Sequence, residues 1–226
     1  IIRVPPQAVL RQGGEIEPSS GSQRQVEDQS GESRPTPQLP AIIHEDEHLL
    51  VFHKPCGLAV HGGSGIKDSL AARLATHFQD APFIPTLAHR LDRATSGLII
   101  AAKTYEALQV LHSLLAGREL MKIYLAWVAG QWKGKGVDTL KDKLGKNRGQ
   151  PFERVATGAG KQAMSLAVPL VQDKNTSLLA LRLVTGRTHQ LRSQLASRGH
   201  PILGDAKYQG PPSRRLRLHA WRIVLP

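Results

Sequence analysis

The sequence predicts an α+β fold, a single domain with a mixed, mainly antiparallel sheet flanked by helices. Short apolar runs typical of strands are interspersed with segments of helical periodicity, without the regular strand–helix alternation of a parallel sheet. Hydrophobic residues make up 40% and charged residues 21% of the 226 positions, which is the composition of a globular protein. Aromatic residues are only 4%, so the core has to be built from aliphatic side chains.

Five segments have the pattern of strands. The run 98–102 is short, wholly apolar and follows a Ser-Gly turn signal, as expected of a buried strand. In the segment 121–129, alternation places Lys122, Tyr124 and Ala126 on one face and larger apolar side chains on the other. The other predicted strands are 48–53, 178–184 and a closing strand that ends near residues 224–225.

Three segments have helical periodicity. Residues 68–78 carry apolar side chains four positions apart, and Asp68 is the predicted N-cap. A second helix is predicted over 105–116, with Thr104 as its cap. A third helix is predicted to begin at His189 and to bury the leucines that follow it.

The first 40 residues differ in composition from the rest of the chain. Residues 11–40 are rich in Gln, Ser, Gly, Glu and Pro and have almost no apolar side chains, so they are predicted to be a flexible linker. Four Arg and five acidic residues give residues 1–40 a net charge of −1, whereas the whole chain carries +12. The predicted domain, residues 41–226, therefore carries +13 and the whole positive field.

The net charge of +12 indicates a polyanionic partner, most often a nucleic acid and less often an anionic membrane. No segment approaches the roughly 18–20 apolar residues that span a bilayer, and no signal peptide is visible. The single cysteine, Cys56, excludes an internal disulfide and a cysteine-cluster metal site, which fits a reducing compartment such as the cytoplasm. It lies in a Lys-Pro-Cys-Gly turn, where we interpret it as a small turn residue rather than a nucleophile.

The segment 133–162 is rich in Gly and Lys and poor in apolar residues. Its composition predicts either a hairpin excursion that contacts phosphates or a solvated loop, and the sequence does not decide between them. Its basic residues are Lys133, Lys135, Lys141, Lys143, Lys146, Arg148, Arg154 and Lys161.

Asp92 stands between Arg90 and Arg93 in a polar turn directly before the predicted strand 98–102. A loop braced by a core strand is a common place for a catalytic group. A solvated carboxylate paired with its neighbouring arginines has the same pattern, however. Tyr124 is likewise either an ordinary strand aromatic or a ring with an accessible face.

The third predicted helix is basic. His189 and Arg192 are three residues apart and share a face, and Arg187 precedes them, so the start of this helix suits an anion. Of the ten histidines, only His44 and His48 have the His-x-x-x-His spacing, and they flank an acidic turn before a predicted strand rather than lie on a predicted helix, so no metal site is predicted. Nucleophile-elbow and dinucleotide-binding motifs are absent as well. These observations indicate a basic α+β domain that binds nucleic acid, without specifying a reaction.

The turn at 89–97, HRLDRATSG, resembles the signature of the RluA-type RNA pseudouridine synthases. Further motifs of that family occur in the expected order between residues 42 and 224, and six motifs in order argue strongly against chance agreement. The others are Lys-Pro-x-Gly-x-x-Val-His at 54–61, Lys-x-Tyr-x-Ala at 122–126, Gly-Arg-Thr-His-Gln-Leu-Arg at 186–192, His-Pro-Ile-x-Gly-Asp-x-x-Tyr at 200–208 and Leu-x-Leu-His-Ala at 216–220.

The loop 60–65, Val-His-Gly-Gly-Ser-Gly, is most similar to the RluC subgroup, which acts on 23S-type large-subunit ribosomal RNA in bacteria. In that subgroup an S4-type RNA-binding domain precedes the linker, so residues 1–10 are expected to be a remnant of that domain. Residues 41–226 are expected to be the catalytic domain, truncated at its C-terminal end. The resemblance also implies a cytoplasmic bacterial monomer that needs no cofactor.

The resemblance implies an isomerisation, in which a flipped-out uracil leaves its C1′–N1 bond, rotates and reattaches through C5. Asp92 would be the essential carboxylate, acting on the sugar or on the base, and Arg192 would pair with its ionised form. Tyr124 would stack on the uracil and move a proton at C5. Arg90 would fill the space that the flipped base leaves. The other residues expected to contact RNA, in a central cleft, are His61, Arg93, Lys122, Arg187 and His189.

Two other functions fit parts of the sequence. A non-catalytic RNA-binding or ribosome-assembly factor with the same fold would explain the positive charge equally well, but it has no need for the set of Asp92, Tyr124 and Arg192. An Asp/His hydrolase acting on RNA would require a metal ion or an activated water, and the sequence points to neither. The expected function is therefore an RNA pseudouridine synthase that acts on ribosomal RNA.

Overall fold

The computed structural model describes residues 2–3, 37–63, 65–146 and 155–226. Within these ranges the strands form one mixed and mainly antiparallel sheet, which confirms the predicted fold class. The strands are β1 (Ile2–Arg3), β2 (Ile42–Glu45), β3 (Leu49–Lys54), β4 (Thr86–Leu87), β5 (Ser96–Ala102), β6 (Met121–Ala129), β7 (Asp138–Lys146), β8 (Val155–Thr157), β9 (Lys161–Gln172), β10 (Thr176–Leu183) and β11 (Leu218–Val224).

The strand order is β2-β3-β5-β11-β6-β10-β9-β7-β8, with β1 beside β11 and β4 beside β5. The pairs are antiparallel except for β5 and β11, which run parallel. The last strand described, β11, therefore lies in the middle of the sheet. It joins a first half, made of β2 to β5, to a second half, made of β6 to β10.

Three α-helices accompany the sheet in the described ranges: α1 (Leu70–His77), α2 (Tyr105–Ala116) and α3 (Gln190–Ala196). None of them is both long and apolar enough to cross a lipid bilayer. The third helix begins one residue later than predicted, because His189 has a φ of 50° in the left-handed region and cannot belong to a right-handed helix.

The helix caps agree with the sequence at one helix and differ at another. Thr104 caps α2 as predicted, because its hydroxyl oxygen accepts the N–H of Ala107 at 3.1 Å. The predicted Asp68 cap of α1 is wrong. Ser69 accepts the N–H three residues later at 3.2 Å, whereas Asp68 accepts two hydrogen bonds from the Arg73 guanidinium at 2.8 and 2.7 Å.

The described residues form three apolar clusters, and the strand predicted at 98–102 belongs to the two larger ones. It is β5, and all seven of its residues are buried. One cluster contains Leu70 of α1, Leu191 of α3 and Tyr124 of β6. The other contains Leu111 of α2. Helices α1 and α3 therefore pack into the same apolar cluster as Tyr124.

The basic segment 133–162 is largely built into the sheet. Strand β7 pairs antiparallel with both β8 and β9, which agrees with the hairpin rather than the loop interpretation. Arg148 and Arg154 lie outside the described residues. So does most of the predicted linker 11–40, while residues 2–3 pair with β11. The linker and the domain remnant predicted at 1–10 stay predictions.

Candidate active site

Asp92 lies on the connection between β4 and the wholly buried β5. The chain turns there, because the N–H of Thr95 donates to the carbonyl oxygen of Asp92 at 3.0 Å. The ammonium of Lys54, which is fully buried, supports this loop, and burial lowers its pKa to about 8. Its three donors reach, at 2.8–3.2 Å, the carbonyl oxygens of Pro55, Leu58 and Arg93.

Glycines fix both flanks of the Asp92 loop. Gly57 has a φ of 94° and makes two hydrogen bonds with Arg93. Its N–H donates to the carbonyl oxygen of Arg93 at 2.9 Å, and its own carbonyl oxygen accepts from Nε of Arg93, also at 2.9 Å. Gly97 has a φ of 114° at the point where β5 passes the backbone of Ala220 in β11, so any Cβ there would collide with that backbone. The backbone around Asp92 is therefore held on both sides by conformations that favour glycine.

Tyr124 comes from β6, and its neighbour on the same face is Lys122, as the alternation predicts. The tyrosine is only 5% exposed. Burial, followed by the negative charge of Asp92, raises the pKa of Tyr124, so the phenol keeps its proton at neutral pH. Burial also lowers the pKa of Lys122, whose ammonium lies beside Gly186.

Helix α3 is short, polar and almost entirely buried. Gln190 anchors its first turn, since its carboxamide oxygen accepts from the Thr185 hydroxyl at 2.8 Å and from the N–H of Arg187 at 3.0 Å. Its Nε2 donates to the hydroxyl of Ser165 in β9 at 2.8 Å. Further bonds to β7, β8 and β9 come from Ser193 and Gln194. These bonds satisfy polar groups that would otherwise be buried without partners.

The Asp92 loop and α3 meet through an ion pair between residues 100 positions apart in the chain. Nη1 of Arg192 donates to Oδ2 of Asp92 at 3.2 Å. On its other edge the guanidinium donates from Nε and Nη2 to the two carboxylate oxygens of Asp205, at 2.7 Å each. Burial acts to lower the pKa of Arg192, but the hydrogen bonds and charge of Asp205, with those of Asp92, raise it overall.

His189 is the second neighbour of Asp92, with its Nε2 3.8 Å from Oδ2. Its Nδ1 lies 3.1 Å from the hydroxyl of Tyr208, which also accepts the N–H of Val155 at 3.1 Å. The ring of Tyr208 covers the guanidinium of Arg192, whose carbon is 5.2 Å from the ring centroid. Burial lowers the pKa of His189 despite the opposing charge of Asp92, so the imidazole is neutral at neutral pH.

A pocket of about 270 Å³ is lined by Asp92, Tyr124 and Arg192 together. His61 is exposed and, like Arg93, does not line this pocket. The structure therefore brings seven of the nine predicted site residues to one pocket. Besides Asp92, Tyr124 and Arg192, the predicted residues that line the pocket are Arg90, Lys122, Arg187 and His189.

Positively charged side chains outnumber negatively charged ones in the lining of the pocket. Among the described residues, Asp92 is the single carboxylate in the lining, against four Lys and Arg side chains. Such surroundings suit a polyanion, and a pocket of this volume takes part of a nucleotide rather than a folded RNA helix. No group of three or more His, Cys, Asp or Glu side chains in the described ranges is placed to hold a metal ion.

Sequence reasoning assigned no role to three residues that support the site, namely Lys54, Asp205 and Tyr208. All three stand in the quoted motifs at 54–61 and 200–208. The available signal for Asp205 was the need of a buried arginine for a carboxylate partner. No comparable signal marked Lys54, because a buried ammonium bonded only to carbonyl oxygens has no sequence pattern of its own.

Comparison with known proteins gives a consistent result. Residues 48–197 match the family model described as RNA pseudouridylate synthase. The ribosomal large subunit pseudouridine synthase C of Salmonella typhi is 36% identical over 234 residues, which cover 96% of this chain and 73% of the relative. The protein of the same name from Escherichia coli K12 is 36% identical over 211 residues, covering 91% of this chain and 66% of the relative.

Solved structures extend the likeness to the fold. Human RNA Pseudouridylate Synthase Domain Containing 4 has a TM-score of 0.66 at 26% identity, covering 82% of this chain and 84% of that one. Human RNA Pseudouridylate Synthase Domain Containing 1 shares the fold with a TM-score of 0.68 at 23% identity, covering 86% and 81%. With the family model, the relatives and the fold in agreement, this chain belongs to the RNA pseudouridylate synthase family and is an RNA pseudouridine synthase.

Proposed function

We propose that this enzyme converts uridine to pseudouridine in large-subunit ribosomal RNA. Its relatives in Salmonella and Escherichia are named for that substrate. The single observation that carries the proposal is the convergence of Asp92, Tyr124 and Arg192, from three separate segments, on one pocket with a surplus of cations.

Asp92 is the proposed catalytic carboxylate. Nη1 of Arg192 donates a hydrogen bond to one of its oxygens, and the carboxylate has to be ionised to act as a nucleophile or a base. In the reaction the C1′–N1 bond breaks and a C1′–C5 bond forms, while the proton at C5 is lost and N1 gains one. Substrate and product contain the same atoms, so the isomerisation consumes no oxidant, reductant or nucleotide.

Tyr124 is proposed to stack on the flipped uracil and to act on the proton at C5. Because burial raises the pKa of its phenol, the hydroxyl can take that proton only while it releases its own to a nearby acceptor. Arg90 lies exposed at the pocket, where it is suited to fill the space of the flipped base.

The other predicted site residues are proposed to contact the RNA backbone. Lys122, Arg187 and His189 do so within the pocket lining, whereas His61 and Arg93 contact RNA outside it. Residues 41–226 are the proposed catalytic domain, with 11–40 as its linker. We expect a monomer, because one chain supplies all the pocket residues, and a cytoplasmic location, because ribosomal RNA is modified there.

The test maps pseudouridine in ribosomal RNA by carbodiimide modification, comparing cells that lack the protein with cells that regain either wild-type protein or the Asp92→Asn variant. We expect one or a few pseudouridines of the large subunit to disappear and to return only with the wild-type protein. An unchanged large-subunit map would refute the substrate. Restoration by Asp92→Asn would refute the assigned carboxylate.

A further inference from the structure

Asp205 is the acidic residue that the described structure buries most completely, and it lies behind the pocket rather than in its lining. Its side chain is 1% exposed. Both of its carboxylate oxygens accept from Arg192, each at 2.7 Å. A charged group at such a position is retained only when its partner satisfies it in full, as this one does.

The guanidinium of Arg192 is shared unequally between two carboxylates. Two of its nitrogens serve Asp205 at 2.7 Å, and only Nη1 reaches Asp92, at the longer distance of 3.2 Å. A guanidinium presents its donors in a rigid plane, so occupying one edge sets the direction of the other. The three groups together carry a charge of −1, so the charge of Asp92 is not fully neutralised.

The backbone around Asp205 is built to keep this carboxylate in place. Its N–H donates to the carbonyl oxygen of Ile202 at 3.1 Å, and its own carbonyl oxygen accepts from Tyr208 and Gly210 at 3.1 and 2.9 Å. The ring of Tyr208 then lies against the guanidinium. One short segment therefore supplies both the ionic and the aromatic contact that confine Arg192.

We propose that Asp205 is a positioning residue of the isomerisation. It fixes one edge of Arg192 so that a single N–H is offered to Asp92, which leaves most of the Asp92 carboxylate free to react. Without Asp205 the guanidinium is able to rotate and bind both oxygens of Asp92, which stabilises the carboxylate and withdraws it from the nucleotide. This inference rests on the proposed roles of Asp92 and Arg192.

The test compares Asp205→Asn with Asp142→Asn in single-turnover reactions on large-subunit ribosomal RNA transcript, which separate the chemical rate from the RNA Kd. Asp142 is a matched control, because it also pairs with an arginine near α3, Arg198, at 2.9 Å. Asp142 uses only Oδ2 for its two bonds, so a carboxamide oxygen keeps them. In Asp205→Asn, by contrast, one of the two acceptors becomes a donor.

We expect Asp205→Asn to lower the single-turnover rate by about 10- to 100-fold, the scale of a small misplacement of a reacting group. Its RNA Kd should stay within about twofold of wild type, and Asp142→Asn should change neither quantity. Equal losses of rate in both variants, or a wild-type rate in Asp205→Asn, would overturn the proposal.

A further variant and one control cover the remaining outcomes. If Asp205→Asn does not fold, Asp205→Glu keeps the charge but displaces the two-point contact, and a wild-type rate in that variant overturns the proposal. Asp92→Asn is measured alongside. Activity in Asp92→Asn refutes the proposed catalytic role of Asp92, on which this inference rests, whereas an inactive Asp92→Asn beside a fully active Asp205→Asn refutes only the positioning role.

Discussion

The two segments that form the Asp92–Arg192 pair are anchored in different ways. The Asp92 loop leads into β5, whose seven residues are all buried and mostly apolar. Helix α3 also has seven residues and buries six of them, but four of the six are polar. The side chains of β5 thus act mainly through the hydrophobic effect, which has no preferred direction, and those of α3 act mainly through hydrogen bonds, which do.

This difference matches what each segment presents to the pocket. A carboxylate on a loop needs a rigid support, which a buried strand provides. A guanidinium acts through donors in one plane, so its helix has to be fixed in rotation as well as in position. The polar anchors of α3, among them Gln190 and Gln194, supply that rotational restraint.

The largest expected effect comes from the group that the buried strand supports. Asp92→Asn keeps an oxygen for Nη1 of Arg192, so both anchors persist while the charge is lost. We expect activity to fall by more than about 10³-fold, in the range for loss of an acid–base or nucleophilic group. Tritium release from RNA labelled at C5 of uridine measures it, and Glu47→Gln at an exposed carboxylate is the control. Full activity would contradict the assignment.

Tyr124 lies on the central strand β6, which is neither the support of the Asp92 loop nor part of α3. A variant at Tyr124 therefore tests a pocket residue that is independent of both segments. Tyr124→Phe preserves the ring that packs in the core and removes only the hydroxyl. We expect the RNA Kd to be unchanged within about twofold and turnover to fall by about 10²-fold, as for loss of a proton-transfer group. If turnover equals that of wild type, the proton-transfer role is discarded and stacking alone is retained.

The apolar anchor is tested by Ile99→Ala, a truncation in the middle of β5 at a fully buried position. We expect it to lower the free energy of unfolding by about 2–5 kcal/mol, from lost transfer energy and the cavity left behind. Urea unfolding measures this change. Because apolar packing has no preferred direction, turnover per folded molecule should stay near wild type. A large drop in turnover would show that apolar packing also orients the Asp92 loop, and would contradict the difference drawn between the two segments.

The polar anchor is tested by Gln194→Ala in α3. Its loss removes the donor to the carbonyl oxygen of Leu140 and leaves the hydroxyl proton of Ser165 without its acceptor, which we expect to cost about 1–3 kcal/mol of unfolding free energy. Here turnover per folded molecule should fall by about tenfold, because α3 loses its orientation. Urea unfolding and single-turnover rates together decide the point, and unaltered turnover would show that the buried leucines orient the helix by themselves.

The effect that is smallest at neutral pH is acid sensitivity on the Asp92 side, where burial lowers the pKa of His89 and of His219 to about 3. Below pH 6.5 both histidines are protonated in the unfolded chain, whereas in the folded protein they stay neutral until the pH approaches 3. The free energy of unfolding therefore falls as the pH drops from 6.5 towards 3, with a slope that corresponds to about one bound proton for each histidine.

Urea unfolding between pH 7 and 4.5 measures this slope. We expect His219→Asn to reduce it by about one bound proton. His112→Asn, at an exposed position on α2, is the matched control. Equal slopes in wild type and His219→Asn would assign the acid sensitivity elsewhere.

The two segments also differ in how far the sequence predicted them. The apolar run of β5, the alternation of β6 and the Thr104 cap are local signals, and each is confirmed. The burial of Gln190 and Gln194 has no local signal, because polar residues on a helix normally indicate an exposed face. Their burial depends on β7, which the basic composition of 133–162 concealed, and on β9, which lies mostly beyond that segment and was not predicted.

Site residues show the same division. Motif resemblance supplied Asp92, Tyr124 and Arg192, but it gave no role to Asp205, which pairs with Arg192 from 13 residues further on. Such a pairing depends on the three-dimensional course of the chain between the two residues. The left-handed backbone of His189 was equally unpredictable, since nothing in the helical pattern distinguishes it from the first residue of α3.

The central position of β11 has a consequence for how the enzyme is made. During synthesis, residues 49–102 and 121–183 can each form their own strand pairs as they leave the ribosome. Asp92 and Tyr124 belong to different halves of the sheet, which are joined only when residues 218–224 have emerged between β5 and β6. A nascent chain thus displays much of its RNA-binding charge well before it has a pocket, and we expect catalysis to begin only after residues 218–224 have been translated.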